Sequence, residues 1–238
     1  MSEKEGARGI KLHFDFHFHS CLSPCGDEAM TPATIAGMCK LSGLDAAALT
    51  DHNTCGNCAA FCQAAEAYGL LALPGMELCT REEVHIVCVF PDLERAGAFQ
   101  EEVYRSLGEA RNDPAIFGRQ LYLDADDRVL SASDFSEAGP FNEMVVMGVY
   151  EVPALVERYG GAAWPAHIDR SSFSLLSNLG LWDPGLGFSL AEVSRNCPPD
   201  FVSGRRDLRG VPTITGCDAH YLEQISDAGQ VMEVPARS

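Results

Sequence analysis

The sequence predicts an α/β fold with a barrel-like architecture, and three observations indicate it. Short apolar stretches alternate with helix-like segments, which favours a mainly parallel sheet. A histidine or a carboxylate follows most of these apolar stretches. Because the carboxyl ends of parallel strands meet at one end of a barrel, we expect these polar side chains to form a site there.

The chain of 238 residues is 46% hydrophobic and 21% charged, which is typical of a globular protein. We predict a single domain over residues 1–238. No apolar run approaches the length of a membrane span, so we expect no membrane association. The first residues, MSEKEGARGIK, lack the apolar core of a secretory signal, and we therefore predict a cytoplasmic location.

The first predicted strand contains HFDFHFHS at residues 13–20, where phenylalanines alternate with three histidines and an aspartate. Alternation places the phenylalanines on one face and the polar residues on the other. Imidazole and carboxylate groups are the ligands of first-row metals, whereas an ordinary solvent face needs neither. The strand therefore predicts a metal-binding face with His13, Asp15, His17 and His19 on it.

The remaining elements follow in order along the chain. Thr31 and Pro32 open a helix in MTPATIAGMCKLSG, as an N-cap residue and a first-turn proline. Further helices are predicted in CGNCAAFCQAAEAYG and VPALVERYGG. Strands are predicted in LDAAALTDHN, LLALPGMEL, EVHIVCVF, AAWPAHIDR, FSLAEVSRN and VPTITGCDAH. Five of these strands deliver candidate ligands, namely His52, Glu77, His85, His167, and the pair Asp218 and His220.

Residues 92–150 interrupt the alternation of strands and helices. Within them QLYLDADDRVLS predicts a hairpin with DADD at its turn. We interpret the region as an insertion that forms a cap or lid beside the site. An additional surface element without function is the alternative.

Ten cysteines are present, and in a reducing compartment we expect thiols. Cys55, Cys58 and Cys62 could suggest a second metal site, with Cys21 or Cys25 as a fourth ligand. Their spacing also suits the buried face of a helix with small side chains. We predict structural thiols and keep the metal site as the alternative.

The formal net charge is −17, which disfavours binding to the phosphate backbone of long nucleic acids. A small phosphorylated substrate is compatible with this charge, because bound metal ions would reverse its sign locally.

Six motifs, DFHFHS, TDHN, PGMEL, VHIV, PAHIDR and GCDAH, resemble in their order those of the PHP (polymerase and histidinol phosphatase) superfamily of metal-dependent phosphoesterases. The resemblance extends over residues 11–222. It implies a distorted (β/α)7 barrel, here with the inserted cap-like segment, and a site for two or three metal ions at the carboxyl ends of the strands.

The resemblance also implies roles for individual residues. Arg170 would hold the substrate phosphate by a two-pronged hydrogen bond, with a surface arginine as the alternative. Asp15 and Asp51 match family residues and would orient imidazoles. The early ligand position is Asp27 or Cys25, and we favour Asp27. The implied metal ligands are His17, His19, Asp27, His52, Glu77, His85, His167, Asp218 and His220.

Nine nitrogen and oxygen ligands exceed the needs of one ion, and their mixture favours Mn, Fe or Zn. We predict a phosphoric ester hydrolase that acts on a small phosphate monoester or nucleotide through a metal-activated water. The alternatives are a nuclease or phosphodiesterase on short oligonucleotides, a histidinol-phosphate phosphatase, and a non-catalytic, metal-bound partner module. The sequence leaves the oligomeric state open.

Overall fold

A computed structural model describes residues 9–107, 115, 119–132, 147–226 and 229–235. They form an α/β fold with a curled six-stranded sheet and two two-stranded sheets. The strands are β1 (Ile10–Phe18), β2 (Ala46–Leu49), β3 (Leu71–Cys79), β4 (His85–Val89), β5 (Leu121–Leu123), β6 (Val129–Ala132), β7 (Ala162–Pro165), β8 (Ala191–Ser194), β9 (Thr213–Gly216) and β10 (Val231–Val234). The helices are α1 (Pro32–Leu41), α2 (Cys58–Ala67), α3 (Leu93–Ser106), α4 (Val152–Arg158), α5 (Leu175–Leu179) and α6 (Phe201–Gly204).

The large sheet has the order β10-β1-β2-β3-β4-β7 and mixed strand directions. The pairs β1/β2 and β2/β3 are parallel, whereas β1/β10, β3/β4 and β4/β7 are antiparallel. The prediction of a mainly parallel sheet is therefore wrong for this half of the fold. Only a short turn joins Cys79 to His85, and a strand that follows such a turn must reverse direction.

The parallel pair β8/β9 lies between β7 and β1. On one side the backbone N–H of Ile168 donates to the carbonyl of Glu192 at 2.8 Å. On the other side Ala219 bridges to Phe18, and its carbonyl accepts from the N–H of His19 at 3.0 Å. The strands thus curl around a common centre, while the complete (β/α)7 barrel stays a prediction.

The first strand departs from strict alternation. Its pairing with β2 shifts register between Asp15 and Phe18. Phe18 is fully buried in the core beneath α1 and α2, whereas Phe16 packs with Trp164 in a separate cluster. The predicted common face of phenylalanines is therefore divided between two cores, and the irregular end of the strand lies at the site.

The predicted hairpin in the insertion is present as β5 and β6, and it is fixed to the body of the protein. The side-chain amide of Asn57 donates to the carbonyl of Leu121 at 2.9 Å and accepts from the N–H of Leu123 at 3.0 Å. Asp127, in the hairpin turn, accepts from the N–H of Ala33 at 2.9 Å. Residues 108–114, 116–118 and 133–146 lie outside the described residues, so the cap stays a prediction.

Asp127 also explains why Thr31 does not cap α1 with its own side chain. Thr31 occupies the predicted N-cap position in an extended conformation, with Pro32 following it. Its hydroxyl donates to Asp127, whose other oxygen takes the free N–H of the first turn. The helix start was predicted correctly, but its capping carboxylate comes from the insertion. Within the described part of the chain, no helix has the length and apolar character that a membrane span requires.

Candidate metal centre

The carboxylate of Glu77 lies at the centre of a buried group of histidines. Its two oxygens approach ring nitrogens of five imidazoles at distances of 2.9–3.2 Å. These imidazoles belong to His17, His19, His52, His85 and His167. One carboxylate cannot neutralise or hydrogen-bond five rings, so the arrangement is unusual for a protein interior.

Asp218 and His220 complete the group. The Oδ1 atom of Asp218 lies 3.3 Å from Nε2 of His17 and 3.1 Å from Nε2 of His19. The His220 ring stacks on the His19 ring with centroids 4.2 Å apart. The structure thus brings eight of the nine predicted ligands together.

Three overlapping sets have ligand atoms within 4.8 Å of one another. Glu77, His19 and His52 each belong to two of these sets, so neighbouring ions could share ligands. The sets are His17, His19, Glu77 and Asp218; His52, Glu77 and His85; and His19, His52 and His220.

The strands converge on the cluster in different ways. His167 and Asp218 follow the ends of β7 and β9, and both adopt left-handed backbone conformations, with φ of 31° and 48°. His85, unlike these two residues, begins its strand. Because β4 runs antiparallel to β3, its first residue meets Cys79 near the end of that strand, on the side where the other ligands lie.

Unsatisfied polar atoms indicate that the cluster suits divalent cations. Four buried atoms there make no hydrogen bond, namely Nδ1 of His52, Nδ1 of His167, Oε2 of Glu77 and Oδ1 of Asp218. Nδ1 of His52 lies 3.1 Å from Oε2 of Glu77, and Oδ1 of Asp218 lies 3.1 Å from Nε2 of His19. Neither contact has the geometry of a hydrogen bond. Burying unpartnered polar atoms is costly, and imidazole nitrogens with carboxylate oxygens are the donors that Mn, Fe and Zn prefer. The residues therefore fit the predicted metal ions.

The pKa shifts of the cluster residues also indicate a metal-binding site. Burial alone would lower the pKa of His17, but Glu192, Glu77 and Asp218 raise this pKa well above its usual value. Burial alone would raise the pKa of Glu77, but His85, His17 and His52 lower it well below its usual value. Without metal, protonated rings thus compensate the carboxylates. Metal ions would replace those protons, which makes binding dependent on pH.

Asp51 acts on the cluster through Ser23. The hydroxyl of Ser23 donates to Asp51 at 2.7 Å, and its oxygen lies 3.0 Å from Nδ1 of His19. Since the Ser23 hydroxyl proton is directed to Asp51, the hydroxyl oxygen accepts a hydrogen bond from Nδ1–H of His19. The Nε2 atom of that ring then carries the lone pair that can bind a metal ion. Asp51 also accepts from the N–H and hydroxyl of Ser20, at 2.7 and 2.6 Å.

Asp15 lies beneath the cluster and contacts no imidazole within hydrogen-bonding distance among its described partners. It accepts from the N–H groups of His17 and Cys217 at 3.2 and 3.0 Å, and Arg195 lies 3.5 Å away. Burial, followed by the charge of Glu192, raises its pKa to about 7. The structure thus places Asp15 at the backbone of β1 rather than at a ring.

Glu192, on β8, was missed by the sequence analysis. Its Oε1 lies 2.7 Å from Nδ1 of His17, and its Oε2 accepts from the indole N–H of Trp164 at 3.2 Å. Gly216 leaves room for it, since a Cβ atom there would lie 2.3 Å from Cδ of Glu192. A carboxylate inside the apolar strand of FSLAEVSRN was the signal that could have found it.

Asp27 does not join the other predicted ligands. It is exposed, and its Oδ1 accepts from the N–H of Ala29 at 2.9 Å in a local turn. Cys25 is also exposed. Neither side chain belongs to the converging sets of ligand atoms, so the choice between Asp27 and Cys25 stays open.

Arg170 lies at the mouth of the cluster, as predicted. Its Nη1 is 2.5 Å from Oδ2 of Asp218, and its side chain is 44% exposed. It lines a cavity of about 80 Å³ together with Glu77, Asp218, Phe173 and four of the histidines. Its side chain turns toward the site, and the predicted grip on phosphate stays a prediction.

The cysteines of α2 behave as structural groups. Cys55, Cys58 and Cys62 are free thiols, and Cys58 is buried beneath the helix with its thiol 3.3 Å from the carbonyl of Gly75. Among the described residues, the converging sets of ligand atoms contain no cysteine. Cys58 and Cys62 lie on α2, as predicted, whereas Cys55 precedes the helix.

Comparison with known proteins identifies the class to which this fold and site belong. Residues 15–159 match the PHP domain family, and the chain therefore belongs to that family. Its members are metal-dependent hydrolases of phosphoesters, and the resemblance seen in the six motifs is confirmed. No curated protein is similar enough to the chain to count as a match.

Solved structures share the fold at low sequence identity. A protein from Bifidobacterium adolescentis, described as a metal-dependent phosphoesterase, has a TM-score of 0.60 at 19% identity, covering 93% of this chain and 92% of that one. An amidohydrolase from Chromobacterium violaceum with bound sulfate has a TM-score of 0.59 at 21% identity, covering 94% and 92%. Endonuclease Q, bound to a 27-mer duplex with an abasic lesion, has a TM-score of 0.63 at 17% identity. That match covers 89% of this chain but only 49% of Endonuclease Q, so the chain spans about half of its length.

Proposed function

We propose that this protein hydrolyses a small phosphate monoester or a nucleotide with the help of two or three ions of Mn, Fe or Zn. One observation carries the proposal: five imidazoles and the Asp218 carboxylate converge on the buried carboxylate of Glu77. When bound, such ions act as Lewis acids and make water a nucleophile at neutral pH.

The residues of the three overlapping sets, together with His167, would hold the ions, and the neighbouring residues would orient them. Asp51 fixes the His19 ring through Ser23, and Glu192 fixes the His17 ring directly. Both contacts engage Nδ1, so both rings direct Nε2 toward the cluster. Such preorganisation holds donor atoms in place before substrate arrives.

Arg170 is the residue we propose to bind the substrate phosphate. Its guanidinium lies at the cavity mouth and is held there by Asp218, so it can turn to a phosphoryl group without a large movement of its backbone. A planar guanidinium forms two parallel hydrogen bonds with phosphate oxygens, and it stabilises the charge that develops on them.

A nuclease acting on short oligonucleotides is the second candidate. The observation in its favour is the similarity to Endonuclease Q in complex with a DNA duplex. The net charge of −17 opposes binding to a long duplex. We therefore propose a phosphate monoester, rather than an oligonucleotide, as the substrate.

The test is a phosphate-release screen of the purified protein loaded separately with Mn, Fe or Zn. Substrates would include nucleotides, sugar phosphates and histidinol phosphate, beside short single strands and a duplex with an abasic site. His19→Ala and Asp218→Ala are the inactive controls. Phosphate release from a monoester supports the proposal, and strand cleavage alone supports the nuclease. Full metal occupancy without any turnover would indicate a partner module instead.

A further inference from the structure

The cavity over the metal centre is too small to hold a whole substrate. Its volume is about 80 Å³, whereas pockets that enclose a whole small-molecule ligand have volumes of roughly 300–1,000 Å³. The alcohol part of a phosphate ester must therefore lie outside, against the residues at the mouth.

One apolar side chain stands at that mouth. Of the described residues that line the cavity, Phe173 alone is neither charged nor an imidazole. Its ring stacks on His85, with centroids 4.8 Å apart and an angle of 26° between the planes. The residue is nevertheless 44% exposed, so part of the ring remains open to solvent.

The backbone fixes Phe173 in this position. Its φ of 51° lies in the left-handed region, which a bulky residue adopts only where the surroundings enforce it. Its carbonyl accepts from the N–H of His85 at 3.0 Å. The next residue, Ser174, donates its hydroxyl to the carbonyl of Arg170 at 2.7 Å. The loop therefore presents Arg170 and Phe173 together, at fixed places on one rim.

We infer that Phe173 determines specificity by stacking on a planar ring in the alcohol part of the substrate, while Arg170 holds the phosphate. The substrate class is then a phosphate ester of a nucleoside or of a comparable aromatic alcohol. Aromatic rings stack on bases of any sequence because every base has a flat π-face. This inference rests on the proposed function and makes it more specific.

Two phosphates that differ only in the ring provide the test. Adenosine 5′-monophosphate carries a base that ribose 5-phosphate lacks, and both share the same ester. We would compare kcat/KM for the two in the metal-loaded wild-type protein, in Phe173→Leu and in Phe173→Tyr. Leucine keeps the apolar volume without a flat ring, and tyrosine keeps the ring. Metal content is measured for each variant.

The wild type should prefer adenosine 5′-monophosphate. Phe173→Leu should reduce that preference about tenfold, equivalent to about 1.4 kcal/mol. The loss should appear mainly in KM for adenosine 5′-monophosphate and should exceed any loss on ribose 5-phosphate. Phe173→Tyr should keep the preference. Equal losses on both substrates, or an unchanged ratio in Phe173→Leu, would overturn the inference and leave the proposed function intact.

Calorimetric binding of the same two phosphates keeps the inference testable if no turnover occurs. Tighter binding of adenosine 5′-monophosphate that Phe173→Leu abolishes would support stacking even though the proposed hydrolysis had failed. Equal affinities for the two phosphates in the wild type would overturn it.

Discussion

The Oε1 atom of Glu192 lies 2.7 Å from Nδ1 of His17, and both side chains are buried. The two residues are 175 positions apart in the sequence. The contact fixes the orientation of the ring and increases the basicity of Nε2, the nitrogen that faces His19, Glu77 and Asp218. Glu192 is thus a positioning residue for the proposed metal centre.

Glu192→Gln should weaken metal binding by about 10- to 100-fold, because glutamine keeps the shape but loses the charge that polarises His17. Competition with a chelator measures the affinity. Gly216→Ala should weaken binding as well, since its methyl group would collide with the Glu192 side chain. Glu157→Gln, at an exposed position on α4, is the matched control. Wild-type affinity in Glu192→Gln would exclude this role.

The purified protein should contain two or three ions of Mn, Fe or Zn per chain by elemental analysis. His19→Ala and Asp218→Ala should lose metal, and chelation should lower the Tm because the ions bind only the folded state. His13→Ala is the control, since His13 lies on the same strand but outside the converging sets. Trace metal at most, after incubation with all three ions, would refute the metal centre.

Asp15 should make the metal-free protein less stable as pH rises. Its pKa is raised from 3.8 to about 7 on folding, so the folded state holds the proton more tightly. The contribution of Asp15 to the free energy of unfolding is complete below pH 4 and is lost as the pH rises from 4 to 7. The loss is on the order of 4 kcal/mol at most. Urea unfolding of wild type and Asp15→Asn at pH 5 and pH 7.5 should show the variant gaining relative stability at the higher pH. The same difference at both values, as expected for exposed Asp126→Asn, would contradict the prediction.

Arg170→Ala should retain metal while lowering kcat/KM by about 10- to 100-fold on the best substrate, since a hydrogen bond to a charged group contributes about 1.5–3 kcal/mol. Arg170→Lys should recover only part of the loss, because lysine keeps the charge without the fork geometry. Steady-state kinetics decide the matter, with exposed Arg128→Ala as the control. Unchanged efficiency in Arg170→Ala would make it a surface arginine.

Cys58→Ala should reduce the free energy of unfolding by about 1 kcal/mol, the usual scale for loss of a small buried group. Metal content should not change, because the thiol packs beneath α2 and contacts carbonyl groups. Denaturant unfolding and elemental analysis test both statements, with partly exposed Cys197→Ala for comparison. An iron–sulfur absorption band that disappears in Cys58→Ala would show a cluster instead.

Much of the candidate site was predictable because short sequence motifs contain its ligand residues. The motif HFDFHFHS and the residues that follow β2, β7 and β9 name the donor types directly. Eight of nine predicted ligands converge. Asp27, which we favoured over Cys25, lies outside the cluster, because its carboxylate accepts from the backbone N–H of Ala29 in a local turn.

The sequence by itself determined the family, the elements that carry the ligands and the kinds of ligand, because these depend on local propensity and on residue type. Only the tertiary structure decided which side chains meet across the fold. In the structure β4 runs antiparallel to β3, so that His85 begins the strand. Glu192 contacts His17, and Arg170 contacts Asp218. Such pairs depend on how strands pack and where a glycine leaves space, and no local pattern encodes a contact between residues so far apart in the chain.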